Sequence, residues 1–404
     1  MNLNILNDDG IVKQYPIVKE NFVNEALKNR VGYIGTQSKE ENALNIFKAY
    51  FSESKAILLD ETNQAIAKQL STLNVPNFPS VPKQKTVFDE EAYALTYFTS
   101  GSTGHPIAAL KTKTNLESEV NALTKLLTKY NIKKVVVTVP FIHLYGTLLG
   151  LIYPLLNKLD IVLKEHFLPH DLLNVIDEHT MVVTTPLYIR ALNKLSEKKD
   201  LSTSVFISST AALALPDIEL FRDKYSADIM QIFGSTETGG IAYKFNDERL
   251  WKPFEGVKLS TNAANELKVQ SPFISTRLYE NGFKQTHGEI QTFDYVELEE
   301  EGFKLIGRSS KIFKIAGKRY STIQIEHILE TVKGIEKALV FTELGKDVLR
   351  GEYLDITIES KEIYTVKEIK KLLQKELSNL KFVIKLHIVD KIPTNQVGKK
   401  LRIL

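Results

Sequence analysis

Five short and almost uninterrupted apolar runs, Val135–Val139, Ile161–Leu163, Met181–Val183, Val205–Ile207 and Ile229–Phe233, recur over one stretch of this chain. Helical patterns separate them. A strand that is apolar at consecutive positions has no face to offer to water, so both of its faces must be covered. Strands of this kind alternating with helices lead to a largely parallel sheet sandwiched between helices, an α/β architecture. At 404 residues the chain also exceeds what one hydrophobic core serves, and two or three domains are expected.

The flanking regions read differently. Upstream, strand Val31–Gly35, helix Glu40–Phe51, strand Ala56–Leu59 and helix Asn63–Leu70 form a βαβα unit, closed by a linker with Pro76, Pro79 and Pro82. After Trp251 the pattern becomes period-two alternation, as in Leu267–Gln270 and Tyr295–Leu298. The turn Glu299–Gly302 leads into Phe303–Ile306, which predicts antiparallel hairpins. The last hundred residues form an α+β unit, with strands Ala338–Phe341, Tyr353–Ile358 and Val383–Val389. Its helix opens on the capping box Thr365–Glu368 and repeats apolar residues at Val366, Ile369, Leu373, Leu377 and Leu380. A large domain over 1–307 and a small one over 308–404 are therefore expected.

Charge supports that division. The chain carries a net +3, yet residues 309–404 hold 19 Lys/Arg against 12 Asp/Glu, leaving the remainder acidic. A basic module on an acidic body faces an anionic partner or is simply a lysine-rich solvated surface. There is no cysteine, which excludes disulfides, thiolate metal sites and a cysteine nucleophile. The start of the chain lacks the basic and apolar segments of a signal peptide, and the longest apolar stretch, near Thr147–Leu156, is too short to span a bilayer. A cytoplasmic protein without membrane or nucleic-acid partners is expected, since no aromatic–basic interleaving is present.

The strongest local signal is Tyr97–Pro106, in which Thr99, Ser100, Gly101, Ser102, Thr103 and Gly104 follow a strand-like run. Hydroxyls alternating with glycines let backbone N–H groups converge on phosphate oxygens without Cβ obstruction. Two close glycines with no Gly-Lys-Ser/Thr exclude a Walker loop. Downstream, Phe233-Gly234-Ser235-Thr236-Glu237 ends another strand, and a hydroxyl beside a carboxylate there suits a magnesium–triphosphate. Taken singly, the first motif has a Ser/Gly surface loop as its alternative, and the second is more often a capped turn.

In order and spacing, these pieces resemble the adenylate-forming superfamily of acyl-CoA synthetases, non-ribosomal peptide synthetase adenylation domains and luciferases. Thr99–Gly104 matches its phosphate-binding loop, and Thr112–Leu116 the Thr-His-x-Asn-Leu that often follows. Phe141, His143, Tyr145 and Gly146 fall in the segment bordering the acyl pocket. Ser209, Thr210 and Ala211 stand at the adenine-side loop without its usual glycines, and Phe233 takes the place of the adenine-stacking tyrosine. Thr292-Phe293-Asp294 stands for the ribose-binding Thr-Gly-Asp, Gly307–Gly317 with Arg308 for the hinge motif, and Gly398-Lys399 for the C-terminal catalytic lysine motif. The resemblance covers roughly residues 90–404. Departures are Ile107 for the usual lysine, Ala108 for glycine, Ser309-Ser310-Lys311 at the hinge acid, and an N-terminal subdomain abbreviated to residues 1–82.

The resemblance implies ATP-dependent conversion of a carboxylic acid to an acyl-AMP, with pyrophosphate release and acyl transfer to a thiol. Ser100–Gly104 and Gly234 would hold the nucleotide, Glu237 the Mg²⁺, Thr236 the α-phosphate or acyl group, Asp294 and Arg308 the ribose. Lys399 would bridge carboxylate and α-phosphate. A mobile C-terminal domain would then turn about Ser310 and Lys311, and a second face around Lys314 would deliver the thiol. With no cysteine, that thiol is CoA or the phosphopantetheine of an acyl carrier protein, for which the basic tail offers an acidic partner. The aromatic Phe141 and Tyr145 favour an aryl or short acyl acid. The reading from another class is a non-catalytic nucleotide-binding descendant.

Overall fold

The computed structural model describes all residues except 8–11, 36–37, 61–63, 81–84, 100–106, 309–311, 316–317, 345–351, 377–382, 395–399 and 401–404. The apolar runs do form one sheet. Its order is Lys252–Pro253, Gly239–Phe245, Asp228–Ser235, Val205–Ser208, Thr180–Thr184, Lys134–Val137, Asp160–Lys164, Asn2–Leu6, Val12–Pro16. From Asp228–Ser235 to Asn2–Leu6 every neighbouring pair is parallel, and antiparallel strands close both edges. Side chains alternate between two cores: Val135, Val137, Met181, Val183, Val205 and Ile207 pack into one, Val136, Val182 and Phe206 into the other. All nine are completely buried, which is why these strands carry no polar alternation. In the second core Phe206 meets Phe221 edge-on at 4.7 Å, and a buried ring of this size contributes about 1.5–3 kcal/mol.

A second, six-stranded sheet runs Phe283–Gln285, Arg277–Tyr279, Ile107–Lys111, Leu95–Thr99, Lys55–Leu58, Val31–Ile34. The βαβα reading holds, since Val31–Ile34 and Lys55–Leu58 are parallel with helix Lys39–Phe51 between them. Residues 1–82 nevertheless divide between both sheets, because Asn2–Leu6 extends the nine-stranded one. Beyond Trp251 the expected hairpins appear as an antiparallel sheet of Lys258–Thr261, Glu266–Gln270, Glu289–Glu299 and Gly302–Arg308.

The C-terminal unit has its own core, with Ile325, Leu329, Val340, Ile356 and Ile369 buried under the sheet of Lys337–Leu344, Glu352–Glu359 and Ile384–Val389. Its helix Val366–Glu376 starts on the capping box: Thr365 N–H donates to Glu368 Oε2 at 2.8 Å, and Glu368 N–H to Thr365 Oγ1 at 3.3 Å. Ile369 and Leu373 are buried as the spacing predicts, but Val366 in the first turn is exposed. Leu377 and Leu380 lie outside the described residues. Among the described residues, no helix is long and apolar enough to cross a membrane.

Candidate active site

The strand Asp228–Ser235 turns back into Gly239–Phe245 through Thr236, Glu237 and Thr238. Ser235 and Thr238 close this turn on themselves: Ser235 N–H donates to Thr238 Oγ1 at 3.0 Å, and Thr238 N–H to Ser235 Oγ at 3.2 Å. Two glycines make the narrow return possible. A Cβ on Gly234 would lie 2.2 Å from the Gly239 carbonyl oxygen, and Gly239 itself adopts φ +72°, where side chains are disfavoured. The turn presents Thr236 and Glu237 half-buried at the carboxyl end of a sheet strand, the location where open α/β sheets bind ligands.

A cavity of about 450 Å³ opens beside this turn. It brings together three segments far apart in sequence: His143, Tyr145 and Gly146; Ser209, Thr210 and Ala211; and Phe233, Gly234 and Thr236. Tyr145 is fixed by its hydroxyl, which donates to the Thr184 carbonyl at 2.9 Å and the Ile207 carbonyl at 2.7 Å, leaving its ring as wall. Thr210 sits at φ +79°, the left-handed region its usual glycine would occupy without strain. Phe233 packs against Trp251 at 5.5 Å and edge-on to Phe303 at 5.7 Å. His143 stands exposed at the rim; the walls crowding it lower its pKa, and Asp60 pulls the other way.

One expectation needs correction. Phe141 is completely buried and does not line the cavity. Its ring packs on the backbone of Gly150, where a Cβ would come within 2.9 Å of it. It therefore supports the pocket from behind.

Other expected residues stand apart or beyond description. Asp294 is buried in Glu289–Glu299, opposite Arg308 on the neighbouring strand, and does not line the cavity. Asp294 N–H donates to Thr292 Oγ1 at 3.1 Å, and that hydroxyl donates to the Leu267 carbonyl at 2.9 Å. Thr99 ends strand Leu95–Thr99, and Lys314 lies in Ile312–Ile315 opposite Arg319. The side chains of Thr99, Arg308 and Lys314 are not described, and Ser100–Gly104, Ser310, Lys311 and Lys399 lie outside the described residues.

Several wall residues carried no motif: Leu148, Leu149, Trp251, Leu305 and the carboxyl of Glu119. Glu119 is buried, and its Oε1 accepts the Gly240 N–H at 2.7 Å. Burial raises its pKa, against the pull of Lys111 and the Gly240 hydrogen bond. Lys111 is wholly inaccessible. Desolvation brings its pKa down to about 8, with Glu119 and Glu237 acting in the opposite direction.

The model for the AMP-binding enzyme family matches residues 30–270, more than half of the chain. The chain belongs to the AMP-binding enzyme family. Membership brings the reaction class expected from the motifs: ATP-dependent activation of a carboxylic acid as an acyl-AMP, followed by transfer to a thiol. This AMP-binding enzyme is 23% identical over 384 residues to a probable CoA ligase of Humulus lupulus, covering 86% of this chain and 70% of the other. It is 22% identical over 322 residues to the 3,4-dihydroxybenzoate–[aryl-carrier protein] ligase of Bacillus anthracis, covering 77% and 73%. Its fold is that of the O-succinylbenzoate coenzyme A synthetase of Bacillus subtilis solved with ATP and magnesium ion, with TM-score 0.80 and 17% identity over 98% of this chain and 95% of that one. Among the described residues, no group of three or more His, Cys, Asp or Glu is placed to hold a metal.

Proposed function

We propose that this enzyme adenylates a compact aryl or short acyl acid in the cavity beside the Ser235–Thr238 turn and passes it to CoA or a carrier-protein phosphopantetheine in the cytoplasm. One observation carries the reading: the acyl-side, adenine-side and Thr236-bearing segments converge on a single cavity. At about 450 Å³ it lies in the lower half of the range for small-molecule sites, and a long acyl chain would outgrow it once the nucleotide shares the space. The aryl acid in the name of the Bacillus anthracis relative is in keeping with that size.

In this reading ATP is held by Ser100–Gly104 through its phosphates and by Asp294 and Arg308 through the ribose, and Glu237 would hold the Mg²⁺ that neutralises phosphate charge. Phe233 and Ser209–Ala211 border the adenine. The acid's carboxylate attacks the α-phosphorus of ATP, the bond to the β-phosphate bridging oxygen breaks, and pyrophosphate leaves. Little covalent work falls to the protein, so placement and charge stabilisation supply most of the acceleration. Lys399 supplies charge to the bridging oxygens, and Thr236 a hydroxyl. Residues 308–404 then rotate about Ser310 and Lys311, replacing Lys399 with the face around Lys314, where the thiolate attacks the acyl carbonyl and AMP departs.

The test is acid-dependent pyrophosphate release over aryl, short acyl, long-chain and amino acids, followed by product formation with CoA and with a phosphopantetheinylated carrier protein. Turnover confined to compact acids is expected. Preference for long-chain acids would overturn the substrate class, and no release with any acid would overturn the catalytic reading.

A further inference from the structure

We propose that Lys111 and Glu119 are positioning residues that clamp the Ser235–Gly240 turn at its middle and at its exit. Lys111 ends strand Ile107–Lys111, which continues directly from the glycine-rich segment. Its Nζ donates to the Phe273 carbonyl at 2.6 Å and to the Glu237 carbonyl at 3.3 Å. Glu119, on helix Lys113–Leu127, takes the Gly240 N–H at 2.7 Å. One buried cation thus grips the backbone at Glu237, in the middle of the turn, and one buried carboxyl grips it at Gly240, where the return strand begins.

Neighbouring contacts hold the clamp itself. The helix bearing Glu119 starts immediately after Lys111 on a reciprocal Thr112–Asn115 cap, and Asn115 Nδ2 donates to the Pro272 carbonyl at 2.7 Å. Ser275 N–H donates to the same Glu237 carbonyl at 2.9 Å. The carbonyls of residues 237, 272 and 273 are therefore all tied to one strand–helix corner. Gly239 and Gly240 exist as glycines in part for this reason: Cβ atoms there would approach the Glu119 carboxylate oxygens to 2.6 and 3.0 Å. An apolar side chain at 111 or 119 would fill the same space without fixing the turn. The position of Thr236 and Glu237 relative to strand Ile107–Lys111 and helix Lys113–Leu127 is then set by these two residues.

The functional half of this inference rests on the roles proposed above for Thr236 and Glu237; the clamp itself does not, and it has its own readout. Backbone amide exchange is measured on wild type, Lys111→Met, Glu119→Leu and Glu119→Gln, with magnesium-dependent ATP–pyrophosphate exchange in parallel. In Lys111→Met the amides of 237–240 and 275 exchange about tenfold faster, the ratio a lost hydrogen bond of ordinary strength produces, while those of Ile229 and Met230 do not change. Gly240 loses protection in Glu119→Leu and keeps it in Glu119→Gln, whose amide oxygen still accepts. Half-saturating magnesium rises several-fold in Lys111→Met with the KM for the acid unchanged. Unaltered exchange at 237–240, a uniform rise across the whole strand Asp228–Ser235, or identical behaviour of the Leu and Gln variants would overturn the clamp. Should Lys111→Met fail to fold, the two Glu119 variants decide. A wild type without ATP–pyrophosphate exchange would count against the functional reading alone.

Discussion

Two lysines organise two regions of this enzyme by opposite means. Lys111 has no exposure to water and bonds to backbone carbonyls beneath the cavity. Lys400, adjoining Lys399, keeps 23% of its side chain exposed and pairs with two carboxylates, Glu326 at 3.1 Å and Glu330, besides the Ala338 carbonyl at 2.7 Å. The first arrangement is dry, directional and little affected by salt. The second keeps partial contact with water, so ions reach it more than they reach Lys111, and its partners belong to a unit with a core of its own. The difference teaches that the turn beside the cavity is tied by a cation wholly removed from water, whereas the lysine next to Lys399 keeps partial contact with it.

The largest expected effect breaks the tail side of this comparison. Lys399→Ala should lower acid-dependent pyrophosphate release by about 10²–10³-fold, the magnitude of removing a preorganised charge-stabilising group. Thiolysis of pre-formed acyl-AMP should survive. Equal loss of both half-reactions, read in stopped assays, would remove Lys399 from its role. On the body side, Asp294→Ala should weaken ATP binding by about 1.5–3 kcal/mol, the value of hydrogen bonds to a charged group, with the KM for the acid little changed. Equilibrium titration with ATP checks it, and an unchanged affinity would count against the ribose assignment.

How far the sequence was legible differs between these regions for a physical reason. Runs such as Met181–Val183 announced themselves because both faces of their strands are buried. The Thr365 box was readable because a cap is a local contact. Asn2–Leu6 was not read as a strand: its asparagines alternate with apolar residues near the sheet's edge, a pattern of five residues too short to weigh. Lys111 ends an otherwise apolar run, Ile-Ala-Ala-Leu-Lys, and a lysine there reads as the point where a strand meets water. Only the segments around Phe273 and Glu237, more than a hundred residues away, reveal that it is buried. Phe141 failed in the converse way, because an aromatic in a pocket motif can face the pocket or support it, and only the close approach to Gly150 decides.

The smallest predicted effect tests whether the Lys400 contacts matter to the chemistry at all. Glu326 Oε1 accepts the Val340 N–H at 3.0 Å and Glu330 Oε1 the Ala338 N–H at 2.9 Å, so both carboxylates already serve the edge of the C-terminal sheet. Lys400 sets one cation against both carboxylates and the Ala338 carbonyl, joining helix Thr322–Glu330 to that sheet edge. Lys400→Met leaves two adjacent carboxylates partly buried without a cation, which should cost about 1–3 kcal/mol of local stability. It should slow adenylation only a few-fold, since Lys399 itself remains. Because partial exposure lets salt reach the pair, the wild-type advantage should shrink between low and high ionic strength, whereas the defect of Lys111→Met should not. Adenylation rates of the two variants at several salt concentrations settle the matter: parallel salt responses would mean that the two lysines anchor their regions in the same way, and the contrast between a dry anchor and a partly wetted one would fall.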